Sequence, residues 1–241
     1  THSEYVIKAL EASKHVFVEK PLAINMSELL QIQTAYENAH RNGNGPHLMV
    51  GFNRRFSPQV QKMKKLLSIV SKPKSFIMTM NAGPIPSEHW IQDVAIGGGR
   101  IIGEACHYID LMRFLSGSTI VKWSSQSMGD DRLKDNVTIN LEFKDGSFGS
   151  IHYFANGNKR FPKERIEVFC NGGILQLDNF RKFRGYNWPN FSKMNIRRQD
   201  KGQKAEAAAF INAITNGQPS PIPFDELIEV SKTTIEIANA I

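Results

Sequence analysis

Two short apolar runs set the limits on what this chain can fold into. His15-Val16-Phe17-Val18 and His47-Leu48-Met49-Val50-Gly51-Phe52 each follow a stretch with apolar residues at helical spacing. The first stretch carries Tyr5, Val6, Ala9 and Leu10, and the second carries Leu29, Leu30, Ile32, Ala35, Tyr36 and Ala39. The second helix stops at Asn42-Gly43-Asn44-Gly45-Pro46, a cluster of turn residues. Strands this apolar, alternating with helices, imply a parallel sheet, because parallel neighbours cannot be joined by a tight hairpin and need a crossover. Residues 1–52 therefore read as the tail of a doubly wound α/β domain. So few strands leave apolar surface at 16–18 and 48–52 without its usual neighbours. Its cover is expected from a second copy, a further N-terminal segment or a rearranged helix over 4–12.

After Asn53 the pattern changes. A helix over 58–70, a strand over 74–81 and a helix over 103–115 lead into a run of strands. Residues 136–143 alternate Val137, Ile139, Leu141 and Phe143, turn at Asp145-Gly146 and return over 148–154, which is a hairpin pattern. Residues 165–170, Asn171-Gly172-Gly173 and 174–177 repeat it, and helices near 204–215 and 224–240 close the chain. Residues 53–241 are thus expected to form an α+β domain with a large, mostly antiparallel sheet that has one open face.

Composition narrows the function. No run approaches the roughly 20 apolar residues that span a bilayer, and Thr1 to Tyr5 lack the basic-then-apolar layout of a signal peptide, so a cytoplasmic location is expected. The net charge of +7 raises the question of nucleic acid. Basic residues are mixed with acids along the chain and are dense only over 159–198, which ranks a solvated face first, an anionic small molecule second and nucleic acid last. Cys106 and Cys170 form no metal-ligand spacing, so reduced thiols and no metal site are expected.

Four places carry residues suited to chemistry. Glu19-Lys20-Pro21 comes directly after the first strand, and in open α/β sheets ligands lie beyond the carboxyl ends of strands. An exposed loop lysine fits the same place. Arg54 and Arg55 follow the second strand and suit an anionic ligand or an acidic neighbour equally. At 100° per residue Glu104 and His107 share a helix face with Asp110 close by, an arrangement that can orient a histidine for acid-base work. Trp90 and the segment Tyr186-Asn187-Trp188 suit either the wall of a sugar site or a core. Gly97-Gly98-Gly99 is read as a flexible turn, since no GxGxxG occurs in the 241 residues.

Three segments in this order resemble one family. Ala9-Leu10-Glu11-Ala12-Ser13-Lys14-His15-Val16-Phe17-Val18-Glu19-Lys20-Pro21 is similar to the "ALEAGKHVxxEKP" segment of the glucose-fructose oxidoreductase, inositol dehydrogenase and MocA (Gfo/Idh/MocA) family. Residues 51–58 resemble its "GFxRRFxP" segment and residues 97–111 its "GGGxxxxxxxHxxDL" segment. The wording over 97–114 and 163–180 is similar to a bi-domain subgroup that follows an alcohol-dehydrogenase-like half and occurs with polysaccharide enzymes. The resemblance implies a Rossmann remnant over 1–52 and an NAD- or NADP-dependent oxidoreductase acting on a sugar or nucleotide sugar. A cofactor- or sugar-sensing protein of the same fold is the alternative. Lys20 and His107 become the expected catalytic pair, and Glu19, Lys20 and Pro21 the expected cofactor contacts. Arg54, Arg55, Trp90, Glu104 and Asp110 become the expected substrate contacts, in a homodimer or homotetramer. In the family's layout the glycine-rich phosphate turn lies ahead of Thr1, so the chain alone is expected to be inactive. One departure is local: Gly103 stands four residues before His107, where many members carry an aspartate.

Overall fold

The computed structural model describes residues 2–41, 43, 45–93, 96–129 and 134–241; Thr1, Asn42 and Asn44, used above to mark the start of the chain and a helix stop, lie outside them. Helix α1 (His2–Glu11) leads into β1 (Val16–Val18), and α2 (Met26–Ala39) leads into β2 (Leu48–Val50). The two strands are parallel, with Val16 opposite Leu48 and Val18 opposite Val50. The N-terminus of α2 is closed by its own side chains: Asn25 Oδ1 accepts from the Glu28 backbone N–H, and Glu28 Oε2 accepts from the Ile24 N–H.

A 3₁₀ turn, Asn53–Phe56, and α3 (Pro58–Ser68) then carry the chain into the larger sheet. Its strands are β3 (Ser75–Asn81), β4 (Ile120–Ser127), β5 (Val137–Phe143), β6 (Phe148–Phe154), β7 (Glu164–Cys170), β8 (Gly173–Asp178), β9 (Lys182–Tyr186) and β10 (Lys193–Asn195). They lie in the order β10-β9-β8-β7-β3-β6-β5-β4. Every pairing is antiparallel except β3 with β6. Val137, Ile139, Leu141 and Phe143 face the core, while Thr138, Asn140 and Glu142 face the other way, as their alternation requires. A π-helical turn, Ile101–Ala105, runs directly into α4 (Cys106–Ser116), which packs on the inner face near β6. Gly149 permits that approach, because a Cβ there would sit 2.6 Å from Phe76 Cβ and 2.8 Å from Met112 Sδ.

The apolar surface of the parallel pair is covered from within the chain: α1, the helix that the sequence suggested as one cover, packs on β1 with Val6 and Leu10 buried, and the C-terminal helices add a cover that the sequence did not suggest. Helices α5 (Gln203–Thr215) and α6 (Phe224–Ala240) fold back over it. Phe210 of α5 meets Phe17 edge-on at 5.6 Å, Phe224 of α6 stacks on Tyr36 of α2, and Ser220 Oγ donates to the Leu48 carbonyl. Leu48, Met49, Val50 and Phe52 are consequently buried. The change of topology at Phe52 is therefore no break in packing, and one buried apolar cluster runs from Val6 to Ile237.

The edge strand β10 and its neighbour β9 escape the sequence pattern because Lys182, Arg184, Lys193 and Asn195 are not strand formers. The segment Tyr186-Asn187-Trp188 closes the β8–β9 end of the sheet instead of walling a cavity. Trp188 is buried against Gly173 and Gly185, and Asn187 Nδ2 donates to the Gly172 carbonyl. Among the described residues no helix is long and apolar enough to cross a membrane, and no group of His, Cys, Asp and Glu is arranged to hold a metal.

Phe210 is the test of the C-terminal cover. Phe210→Ala should lower stability by about 3 kcal/mol, as for other buried phenylalanines, and should expose the β1 region to protease. Urea unfolding checks this, and a loss under about 1 kcal/mol would mean that α5 does not seal β1.

Candidate active site

Lys20 follows β1, where the chain turns away from the carboxyl end of the strand, and the Lys20–Pro21 peptide bond is cis. Its Nζ donates to the Gly103 carbonyl at 2.5 Å. That carbonyl lies in the π-turn, whose i→i+5 pattern departs from the ordinary helical ladder and is a common feature of functional sites. Lys20, Pro21 and Gly103 line a cavity of about 160 Å³ together with His2, Trp90 and Ile91. His2 Nδ1 is 2.8 Å from the Pro21 carbonyl, which ties the start of α1 to this rim.

His107 stands in the first turn of α4, four residues beyond Gly103 and outside the cavity lining. It is 7% exposed, the edge of its ring meets Phe52, and its Nδ1 has no hydrogen-bond partner. Burial holds its pKa well below the usual 6.5, and the charges of Arg54, Lys20 and Lys201 push in the same direction. Lys20 and His107 thus lie within electrostatic reach of each other. The histidine is neutral at pH 7 and carries a ring nitrogen that nothing among the described residues occupies.

The carboxylates expected to flank His107 are engaged elsewhere. Glu104 accepts from the Tyr153 hydroxyl at 2.7 Å and lies 3.4 Å from Arg100 Nη2; the π-turn breaks the i−3 stacking that an α-helix would give. Asp110 is paired with Arg55, and both side chains are almost wholly inaccessible, so neither faces an open cavity. Burial raises the Asp110 carboxyl to about 6 in spite of that partner. Arg54 is likewise internal, holding Glu164 through Nε at 3.0 Å and Nη2 at 2.7 Å. Trp90, well exposed, is on the cavity rim, and Glu19 lies against Gly51 at the end of β2.

Three functional neighbours have no signature in the sequence. Glu164 of β7 accepts from Tyr108 of α4 at 2.5 Å and pairs with Lys201 at 2.6 Å. Tyr108, Glu164 and Lys201 come from distant segments, so no spacing announces them.

With this geometry in hand, residues 61–176 match the family model described as the GFO/IDH/MocA C-terminal domain, and residues 1–45 match its oxidoreductase family, NAD-binding Rossmann fold model. The chain belongs to the Gfo/Idh/MocA family. It is 26% identical over 242 residues to a myo-inositol 2-dehydrogenase of Thermotoga maritima, an alignment covering 92% of this chain and 69% of that protein. A scyllo-inositol 2-dehydrogenase (NAD(+)) of Bacillus subtilis is 30% identical over 197 residues, covering 75% of this chain and 53% of that protein. The chain thus spans between about half and two thirds of the length of these curated relatives. In fold it is similar to a levoglucosan dehydrogenase complexed with NADH and levoglucosan, with a TM-score of 0.83 at 20% identity, covering 99% of this chain and 74% of that one.

A depressed histidine pKa has a measurable sign. The stability that His107 contributes by staying neutral is complete above the ordinary value of 6.5. It falls as pH drops through 6.5, where the unfolded chain takes up a proton that the folded chain refuses. Histidine ring resonances should therefore show His107 failing to titrate between pH 8 and 6, and His107→Gln should flatten that part of the acid limb of thermal stability. An ordinary titration of His107 near pH 6.5 would contradict the assignment.

Proposed function

We propose that this chain supplies the substrate half of an NAD(P)-dependent oxidoreductase that acts on a hydroxyl or ketone carbon of a sugar or nucleotide sugar. What supports the reading is that Lys20 lines a cavity at the strand end and that its charge reaches the neutral His107, whose Nδ1 has no partner among the described residues. The residues present fit the reacting end of a nicotinamide. An apolar wall of Pro21, Ile24, Ile91 and Ile96 lines the cavity with a single lysine at its edge. When bound, the nicotinamide accepts or supplies the hydride.

The chain's own residues handle the proton. Lys20 Nζ is positioned to donate to the reacting oxygen and to stabilise charge that develops there. His107 Nδ1 is free to accept the hydroxyl proton and to return it in the reverse direction. Arg54 and Lys201, both anchored on Glu164, fix the positive potential around His107. Lys163 extends that potential toward Glu104 and Lys201 toward His107, which favours a nucleotide sugar over a neutral sugar.

The outer face of the large sheet carries exposed Ile77, Phe148, Phe154 and Phe169, an apolar surface that favours pairing of two copies.

In the intact oxidoreductase, Lys20→Met and His107→Ala should each lower kcat/KM by about 100-fold or more while changing thermal stability far less. Initial rates with aldoses, polyols and nucleotide sugars check this, and unchanged activity in either variant removes that residue from the chemistry. Dinucleotide affinity gives a second test. At the N-terminus of α2 the Glu28 N–H is already taken by Asn25, and the Glu28 carboxylate, which accepts from the Ile24 N–H, would repel a pyrophosphate there. Titration of the 241-residue chain with NADH should accordingly give a Kd weaker than about 1 mM. Micromolar binding would mean that the phosphates have a seat within these residues.

A further inference from the structure

One buried titratable group takes no part in the chemistry above. Glu206, in the first turn of α5, is 3% exposed, and its Oε1 has no hydrogen-bond partner among the described residues. Its position follows from two periodicities. Glu206 and Phe210 are four apart and share a face of α5, while Phe17 and Glu19 are two apart and share a side of the extended chain. Phe210 rests on Phe17. The same register sets Glu206 beside Glu19, which precedes Lys20. The contact between α5 and the strand end therefore has an apolar rung and an acidic rung.

We propose that Glu206 is carried as a neutral acid that latches α5 onto the turn bearing Lys20, and that its ionisation loosens this latch, making Glu206 a positioning residue for Lys20. The consequence for Lys20 rests on the catalytic reading given above; the latch itself does not.

The charges around Glu206 support the assignment. Burial raises its pKa to about 8, with Glu19 from the end of β1 and Asp110 from α4 adding to the rise and Arg55 from the 3₁₀ turn opposing it. Arg55 is already held by Asp110 and by Glu226 of α6, so it is not free to neutralise a second carboxylate. Glu19 has little room to withdraw on its inner side. A Cβ at Gly51 would lie 3.0 Å from Glu19 Oε2, so the carboxylate is folded back over the end of β2. A proton on Glu206 removes the repulsion within the acidic rung. Its loss places two like charges between α5 and the turn that holds Lys20 against Gly103.

The test is made on the full chain. Carbon-13 titration of labelled glutamates should show one carboxyl titrating near pH 8, absent in Glu206→Gln and moved to lower pH in Glu19→Gln. A raised acid pKa means that the folded chain keeps a proton the unfolded chain has lost. Stability should accordingly fall as pH rises from about 4.5 to about 8 and level off beyond it, and Glu206→Gln should remove that fall. Glu19→Gln, at an exposed position, serves where the first variant folds poorly. In the intact oxidoreductase, kcat/KM should drop about tenfold more between pH 7 and 9 in the parent than in Glu206→Gln, the change in the protonated fraction of an acid titrating near 8. A Glu206 titrating near 4.5, or stability curves that coincide for parent and Glu206→Gln, overturns the latch. A latch seen in stability with identical rate profiles overturns the positioning role alone. The first two measurements need no substrate, so failure of the sugar-oxidoreductase reading does not touch them.

Discussion

Two consecutive arginines hold the molecule together. Arg54 and Arg55 occupy the short turn between the parallel strands and the large sheet, and both are buried. Arg54 reaches Glu164 at the start of β7, while Arg55 reaches Asp110 on α4 and Glu226 on α6. The desolvation of two guanidiniums is offset only because Arg55 meets Asp110 fork-wise and Arg54 gives two N–H groups to one oxygen of Glu164, with Tyr108 and Lys201 completing the bonding of Glu164. Removing one carboxylate would strand a buried charge, which is far more destabilising than replacing the whole group with apolar residues. The turn is thereby fixed between strand, sheet and two helices, and it fixes what adjoins it: Phe52 against His107 on one side, and α5 against the turn on the other.

That junction also decides the electrostatics of the site. Burial depresses the basicity of His107 most, Arg54, though paired, depresses it further, as do Lys20 and Lys201, and among the described residues no carboxylate is seen to counter them. The chain therefore runs against the common arrangement in which a carboxylate orients and charges a catalytic histidine. A histidine placed among cations is poised to receive a proton only when negative charge appears nearby, as it does on an oxygen losing its hydrogen. In the function proposed above, Lys20, its amine tied to a backbone carbonyl, would face that oxygen.

Much of the fold was legible in the sequence because periodicity and burial agree in it. The helices over 26–39, 203–215 and 224–240 and the hairpin of β5 and β6 fall where apolar spacing and turn residues place them. The C-terminal covering of the parallel strands was not legible, since nothing local in Phe210 or Phe224 says which distant strand or helix it will meet. At the site, the resemblance singles out Lys20 and His107 as a pair, which the structure brings within electrostatic reach of each other. The residues left Arg54 and Arg55 open between an anionic ligand and an acidic neighbour, and the structure pairs them with Glu164, Asp110 and Glu226, a burial of ion pairs that sequence alone does not reveal. Glu104 was displaced by the π-turn, a feature with no pattern of its own in the 3.6-residue period.

At Gly103, where the resemblance implies an aspartate, the structure sets a backbone carbonyl before Lys20. A side chain at this position would press on Ile91, since a Cβ would lie 2.8 Å from its Cδ1, so Ile91 packs against the π-turn because Gly103 leaves the space. What faces Lys20 is then the carbonyl of Gly103. A carbonyl accepts the same hydrogen bond that a carboxylate would, but it carries no net charge. Lys20 is held in place without being neutralised, and the field it shares with Arg54 and Lys201 at His107 survives. A backbone dipole in place of a charged partner thus anchors Lys20 by geometry rather than by an ion pair, and the π-turn is the local structure that makes such a carbonyl available.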